Sequence, residues 1–201
     1  MAHHLRGRDF GSRPRGKTGL IICEGTRTEP RYLDALKQRF RLGGLDVRGM
    51  AKDPDRMIEE AMAIRCRHEK AGNEPYDATW LVFDSECPGT FDIRAVLRRA
   101  KSEKIETALS CPSFELWLLL HYEFTTTSFD NAQQVEQRLV TPDPGYAKAT
   151  FSVDPYLDRI DQALANAKKL REQRQRMSDL AWQTSGTDVD LLVLWMRSGS
   201  V

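Results

Sequence analysis

Three carboxylates, Glu24, Asp84 and Glu86, have the type and spacing to hold a hard cation. The apolar stretch TGLIIC (18–23) runs directly into Glu24-Gly25, and ATWLVF (78–83) runs directly into Asp84-Ser85-Glu86. Acids that end neighbouring strands would repel one another unless a cation neutralised them. Oxygen ligands without a nearby histidine or thiolate select Mg²⁺ or Mn²⁺. The i, i+2 spacing of Asp84 and Glu86 lets both side chains leave an extended segment on one side. Gly25 allows the backbone to turn sharply beside the metal. Polar residues also end strands for no chemical reason, so either site alone would point to a loop start or a helix cap.

The elements that must position these acids follow from hydrophobic periodicity. TGLIIC reads as a short buried strand. Thr28 is the expected N-cap of a helix with Pro30 in its first turn and Tyr32, Leu33, Leu36 and Phe40 on its apolar face. A strand at Leu45–Met50 follows, then a helix opened by Asp53-Pro54 with Met57, Ile58, Ala61, Met62 and Ile64 as its buried stripe. ATWLVF is the clearest strand. A helix around Phe91–Lys104, a strand at Ile105–Ser110 and an apolar helix at Pro112–His121 come next. Strands alternating with helices predict an α/β fold whose mainly parallel sheet carries helices on both faces. Beyond Phe124 the chain turns polar, with a short helix near Asn131–Leu139. One long charged helix is expected at Asp154–Trp182, and a last apolar helix at Asp188–Met196. The domain reading is a basic arm over 1–17, an α/β core over 18–123, and a loop with C-terminal helices over 124–201.

Composition narrows the class. Hydrophobic residues make up 40% and charged residues 29% of 201, ordinary for a soluble domain. The apolar run Leu116–Leu120 is too short to cross a bilayer, and the basic N-terminus lacks the apolar stretch of a secretory signal. The expectation is a cytoplasmic protein with no membrane contact and four reduced thiols, since no CxxC pair or zinc-ligand cluster occurs. A net charge of +1 says nothing about nucleic acid. The arm, however, sets Arg6, Arg8, Arg13, Arg15 and Lys17 against Asp9 alone, which suits phosphate neutralisation or a solubilising tail.

Gly11-Ser12-Arg13-Pro14-Arg15-Gly16-Lys17-Thr18 matches the P-loop pattern letter for letter, yet its context is reversed. A P-loop needs a strand before it and a helix N-terminus after it. Here a strand follows, and Pro14 lacks the N–H that a phosphate would need. ATP binding is therefore not expected at this segment.

Longer motifs carry a resemblance. Ile21-Ile22-Cys23-Glu24-Gly25-Thr26-Arg27-Thr28-Glu29-Pro30-x-Tyr32 resembles the opening motif of the RloB-like family, which is related to TOPRIM domains. Val82-Phe83-Asp84-Ser85-Glu86 looks like its acidic strand, and the segment Ser110–His121 (SCPSFELWLLLH) resembles its most specific motif. Tyr146-Ala147-Lys148 and Thr184-Ser185-x-Thr187-x-Val189 are weaker echoes. The resemblance implies a TOPRIM-like core in which Glu24 is a metal ligand or general acid/base and Asp84 and Glu86 correspond to the DxD pair, with Glu in second place. Glu115 matches a further acid of OLD-type nucleases that serves a second metal, and Lys148 corresponds to their lysine, which stabilises charge on the phosphate. It further implies Mg²⁺- or Mn²⁺-dependent cleavage of DNA or RNA in bacterial antiviral, abortive-infection defence, with an ATPase partner in trans. The alternative is a non-catalytic sensor or regulatory subunit of such an ATPase. Oligomeric state stays open, a homo-oligomer included.

Three side chains have competing readings from the residues alone. Glu29 begins a helix, where its charge either caps or binds metal. Glu115 lies in an apolar segment and needs a metal or a Lys/Arg partner. His121 reads as a satisfied structural residue.

Overall fold

A computed structural model describes residues 16–85, 92–148, 150–176 and 185–198. The sheet is built from β1 (Thr18–Cys23), β2 (Gly44–Gly49), β3 (Ala78–Asp84), β4 (Glu106–Cys111) and the two-residue β5 (Gly186–Thr187), in the order β2-β1-β3-β4-β5. The first four strands are parallel, and β5 pairs antiparallel with β4. Helices α1 (Thr28–Arg39), α2 (Pro54–Lys70) and α3 (Ile93–Ser102) are the connections between the parallel strands. They are followed by α4 (Glu115–Leu119), α5 (Ala132–Leu139), α6 (Asp154–Leu157), α7 (Ile160–Arg176) and α8 (Val189–Arg197).

Alternation along the strands sorts the core into two layers, as the pleat requires. Ile21, Cys23, Trp80, Val82 and Ala108 pack against α1, α4 and the C-terminal helices. Leu20, Ile22, Leu81, Phe83 and Leu109 pack against α2 and α3. The chain thus winds from β1 through α1 on one face, then returns through α2 on the other. In such a sheet the order reverses between β1 and β3, and a crevice opens at their carboxyl ends. Glu24 and Asp84 stand at those two ends.

Several local expectations are corrected. Thr28 does not cap α1: Arg27 occupies the N-cap position with no side-chain cap bond, and the Thr28 hydroxyl instead donates to the Lys148 carbonyl. Met62 is 40% exposed rather than buried, because it falls off the stripe set by Met57, Ile58, Ala61 and Ile64. The Pro112–His121 helix shrinks to five residues, and the long charged helix breaks at residues 158–159 into α6 and α7. β5 is too short to carry a periodicity signal. Cys111 is disulfide-bonded while Cys23 and Cys66 are free, so the thiols are not all reduced. A bridge made by tertiary proximity leaves no spacing signature in a sequence.

Thr18 opens β1 instead of a helix, as the rejection of the P-loop required. Lys17 Nζ donates to the Trp195 carbonyl and, at 2.7 Å, to Ser198 Oγ, so this lysine serves the end of α8. Among the described residues no helix is long and apolar enough to cross a membrane.

Candidate active site

The site begins with two backbone registers. β1 and β3 are paired through Cys23↔Val82, and the Glu24 N–H continues the ladder to the Val82 carbonyl at 2.8 Å. Two residues further along β3, the Asp84 N–H donates to Glu24 Oε2 at 3.0 Å. Parallel pairing thus fixes one acid against the main chain that bears the other. On the far side of β1, Met50 and Ala51 donate to the carbonyls of Cys23 and Glu24, which holds the turn after the strand open.

Glu29 completes the cluster. It lies in the first turn of α1, buried, where the helix dipole favours its charge. A β-carbon on Gly25 would stand only 1.9 Å from Glu29 Oε2. Gly25 is therefore needed for space as well as for turning: it leaves room for the second glutamate of the motif.

Glu115, 1% exposed, sits at the start of α4. Its Oε1 accepts from the Tyr146 hydroxyl at 2.9 Å and pairs with Lys148 Nζ at 3.2 Å. Its Oε2 is buried with no hydrogen-bond partner. Of the two partners foreseen for this buried carboxylate, the structure supplies a lysine. Lys148 also reaches Glu136 at 3.1 Å. Burial lowers the Lys148 pKa, but Glu115 and Glu136 outweigh it and hold the ammonium above its ordinary value.

The acids sense one another. Burial raises Asp84 well above the usual carboxylate range, and the charges of Glu29, Glu115 and Glu24 push it further, against a hydrogen bond from the Phe114 backbone. Glu29 is raised by burial first and by Glu115 and Glu24, while its own backbone contact and Lys148 oppose the shift. Glu24, Glu29, Asp84 and Glu115 thus concentrate negative charge in one place.

A cavity of about 680 Å³ opens over Glu24, Glu29 and Asp84, with Arg27, Lys52 and Lys148 in its wall. Among the described residues no group of three His, Cys, Asp or Glu is arranged to hold a metal ion. Glu86, the third expected ligand, lies outside the described residues. The structure thus brings Glu24, Asp84, Glu115 and Lys148 into one electrostatic neighbourhood and adds Glu29 and Tyr146.

His121 belongs elsewhere. Its Nδ1 donates to the Trp117 carbonyl at 2.9 Å, which leaves Nε2 to accept from Tyr32 Oη at 2.9 Å. Burial lowers its pKa to about 3, so it stays neutral and structural.

The sequence matches the RloB-like protein family over residues 19–196. The chain belongs to that family. Both strand-end acids, Glu29, Glu115 and Lys148 fall inside the RloB-like span, as do all five strands except the first residue of β1. Neither a curated protein nor a solved structure matches the chain.

Proposed function

We propose that this RloB-like protein hydrolyses phosphodiester bonds of DNA or RNA with Mg²⁺ or Mn²⁺, as a nuclease of antiviral, abortive-infection defence in the cytoplasm. The observation that carries the reading is the convergence of Glu24 and Asp84 at the reversal point of the sheet, under a cavity whose wall also holds Glu29. The donor set suits a hard cation: every acid there offers oxygen, and Asp84, raised by burial first and by the charges of Glu29, Glu115 and Glu24 next, would gain from a neighbouring cation. Glu24, Asp84 and Glu86 would hold it, with Glu115 the candidate for a second. Such a cation supplies Lewis-acid polarisation of the phosphoryl oxygen and acidifies water.

The chain's own residues do the rest. The Asp84 N–H holds the Glu24 carboxylate in one orientation, which is what a ligand or general base needs. Lys148, kept charged by Glu115 and Glu136, presents an ammonium at the cavity wall where negative charge develops on phosphate. Incubating nucleic acid and Mn²⁺ with wild type, Glu24→Ala and Asp84→Ala tests the reading. Loss of cleavage in both variants is expected, and equal cleavage by all three proteins sinks it.

A second reading is a non-catalytic sensor or regulatory subunit of a defence ATPase. It is favoured by the Glu115–Lys148 pair, which satisfies one acid without metal, and by Leu191 and Leu194, exposed on α8. Calorimetric titration with Mn²⁺ separates the two: binding lost in Glu24→Ala and Asp84→Ala speaks for catalysis, and no binding by wild type for the regulatory role.

A further inference from the structure

We propose that the cavity grips a nucleic-acid strand by its phosphates alone, with Arg27 as the principal contact, Lys52 as a second, and no readout of the bases. The inference takes its ligand class from the phosphodiester reading above and adds how that ligand is held.

Three cations line the cavity, and they are not equivalent. Lys148 is shared with Glu115 and Glu136, so only part of its charge is left for phosphate. Lys52 meets Glu60 at 3.1 Å, a pair open to solvent and readily exchanged. Arg27 is exposed and, among the described residues, its guanidinium has no hydrogen-bond or ion-pair partner, although it shares the cavity with Glu24, Glu29 and Asp84. An arginine that borders a cluster of acids yet pairs with none presents its planar fork of donors to an incoming anion.

Among the described residues the wall offers little that would grip a base. Among the described lining residues there is no aromatic side chain to stack on a base and no Asn or Gln to read its edge. A site furnished with cations and, among the described lining residues, without stacking surfaces favours backbone over bases.

The experiment is fluorescence anisotropy with labelled oligo-dT and oligo-dA of equal length, the full chain, and Ca²⁺ as the divalent ion. Arg27→Ala is compared with Arg27→Lys, Lys52→Ala and Arg67→Ala, an exposed arginine outside the cavity. We expect Arg27→Ala to weaken both oligonucleotides equally, about tenfold, and to reduce the slope of log affinity against log salt by about 0.7, one single-strand phosphate contact. Arg27→Lys should recover part of the affinity, Lys52→Ala should lose less, and Arg67→Ala should match wild type. Wild-type affinity in Arg27→Ala, strong preference for one oligonucleotide, or no binding at all each overturns the proposal. Cleavage that needs Glu24 together with binding indifferent to Arg27 sinks this inference and leaves the nuclease reading standing. Arg27-dependent binding without cleavage under any metal upholds the inference and sinks that reading.

Discussion

The main-chain N–H of Asp84 donates to Glu24 Oε2 at 3.0 Å, so the acid after one central strand is held by the backbone that ends its neighbour. Glu24→Gln keeps an oxygen that can accept this bond and removes only the charge. It should fold as wild type does and lose Mn²⁺-dependent hydrolysis on the order of 10²–10⁴-fold, measured as kcat on a labelled oligonucleotide. Retained activity would remove Glu24 from the chemistry.

Asp84 gives the metal-free protein a pH dependence of definite sign. Its folded pKa lies well above the unfolded carboxylate value of about 3.9. The folded state therefore holds the proton more tightly, its contribution is fully present below that unfolded value, and it is lost as pH rises through the folded pKa. In EDTA, Tm should fall more steeply with rising pH for wild type than for Asp84→Asn. Saturating Mg²⁺ should reverse the loss, by about 2.7 kcal/mol at a hundredfold excess over Kd, or about 2–4 °C for each kcal/mol. Parallel wild-type and Asp84→Asn profiles would count against strain at this acid. His121 acts in the opposite sense between about pH 6.5 and its folded pKa of about 3, but equally in both proteins.

Gly25 and Gly49 separate a site effect from a fold effect. At Gly25 the atoms nearest a methyl are those of the Glu29 carboxylate, the far end of a side chain, whereas at Gly49 it would meet the Gly25 carbonyl at 2.5 Å. Gly25→Ala should leave Tm within a few degrees and cut activity by displacing Glu29. Gly49→Ala should cost about 1–3 kcal/mol in urea unfolding, because backbone must move.

Tyr146 tests the anchoring of Glu115. Removing its hydroxyl strips the buried carboxylate of a donor at 2.9 Å, so Tyr146→Phe should cost about 1.5–3 kcal/mol at neutral pH. Lys148→Met should also destabilise, and the two changes should not add, since both act on one oxygen. Strict additivity by chemical denaturation would show that the two side chains act independently.

The acids at the ends of β1 and β3 were legible because strand ends and a two-faced apolar alternation are local signals, and the sheet order turns them into neighbours. Glu24 and Asp84 needed only the pleat and the parallel register. Glu29 was ambiguous because its role depends on the room left by Gly25 and on the approach of Glu115, neither of which spacing reveals. Tyr146 was visible only as part of a motif. Its hydroxyl matters because a polar segment thirty-one residues beyond Glu115 folds back over it. The break between α6 and α7 escaped because the apolar spacing of Leu157, Ile160 and Leu164 runs through it. β5 escaped because two residues have no period.

The tie between the Thr28 hydroxyl and the Lys148 carbonyl spans 120 residues, twice the 60 that separate Asp84 from Glu24. Doubling the loop adds only about 0.6 kcal/mol of closure entropy, but contacts so distant along the chain form late. During synthesis, β1 and β3 and the acids at their ends emerge from the ribosome before Tyr146 and Lys148 exist to anchor Glu115 and finish the cavity wall. A growing or truncated chain therefore carries the acids without the completed pocket.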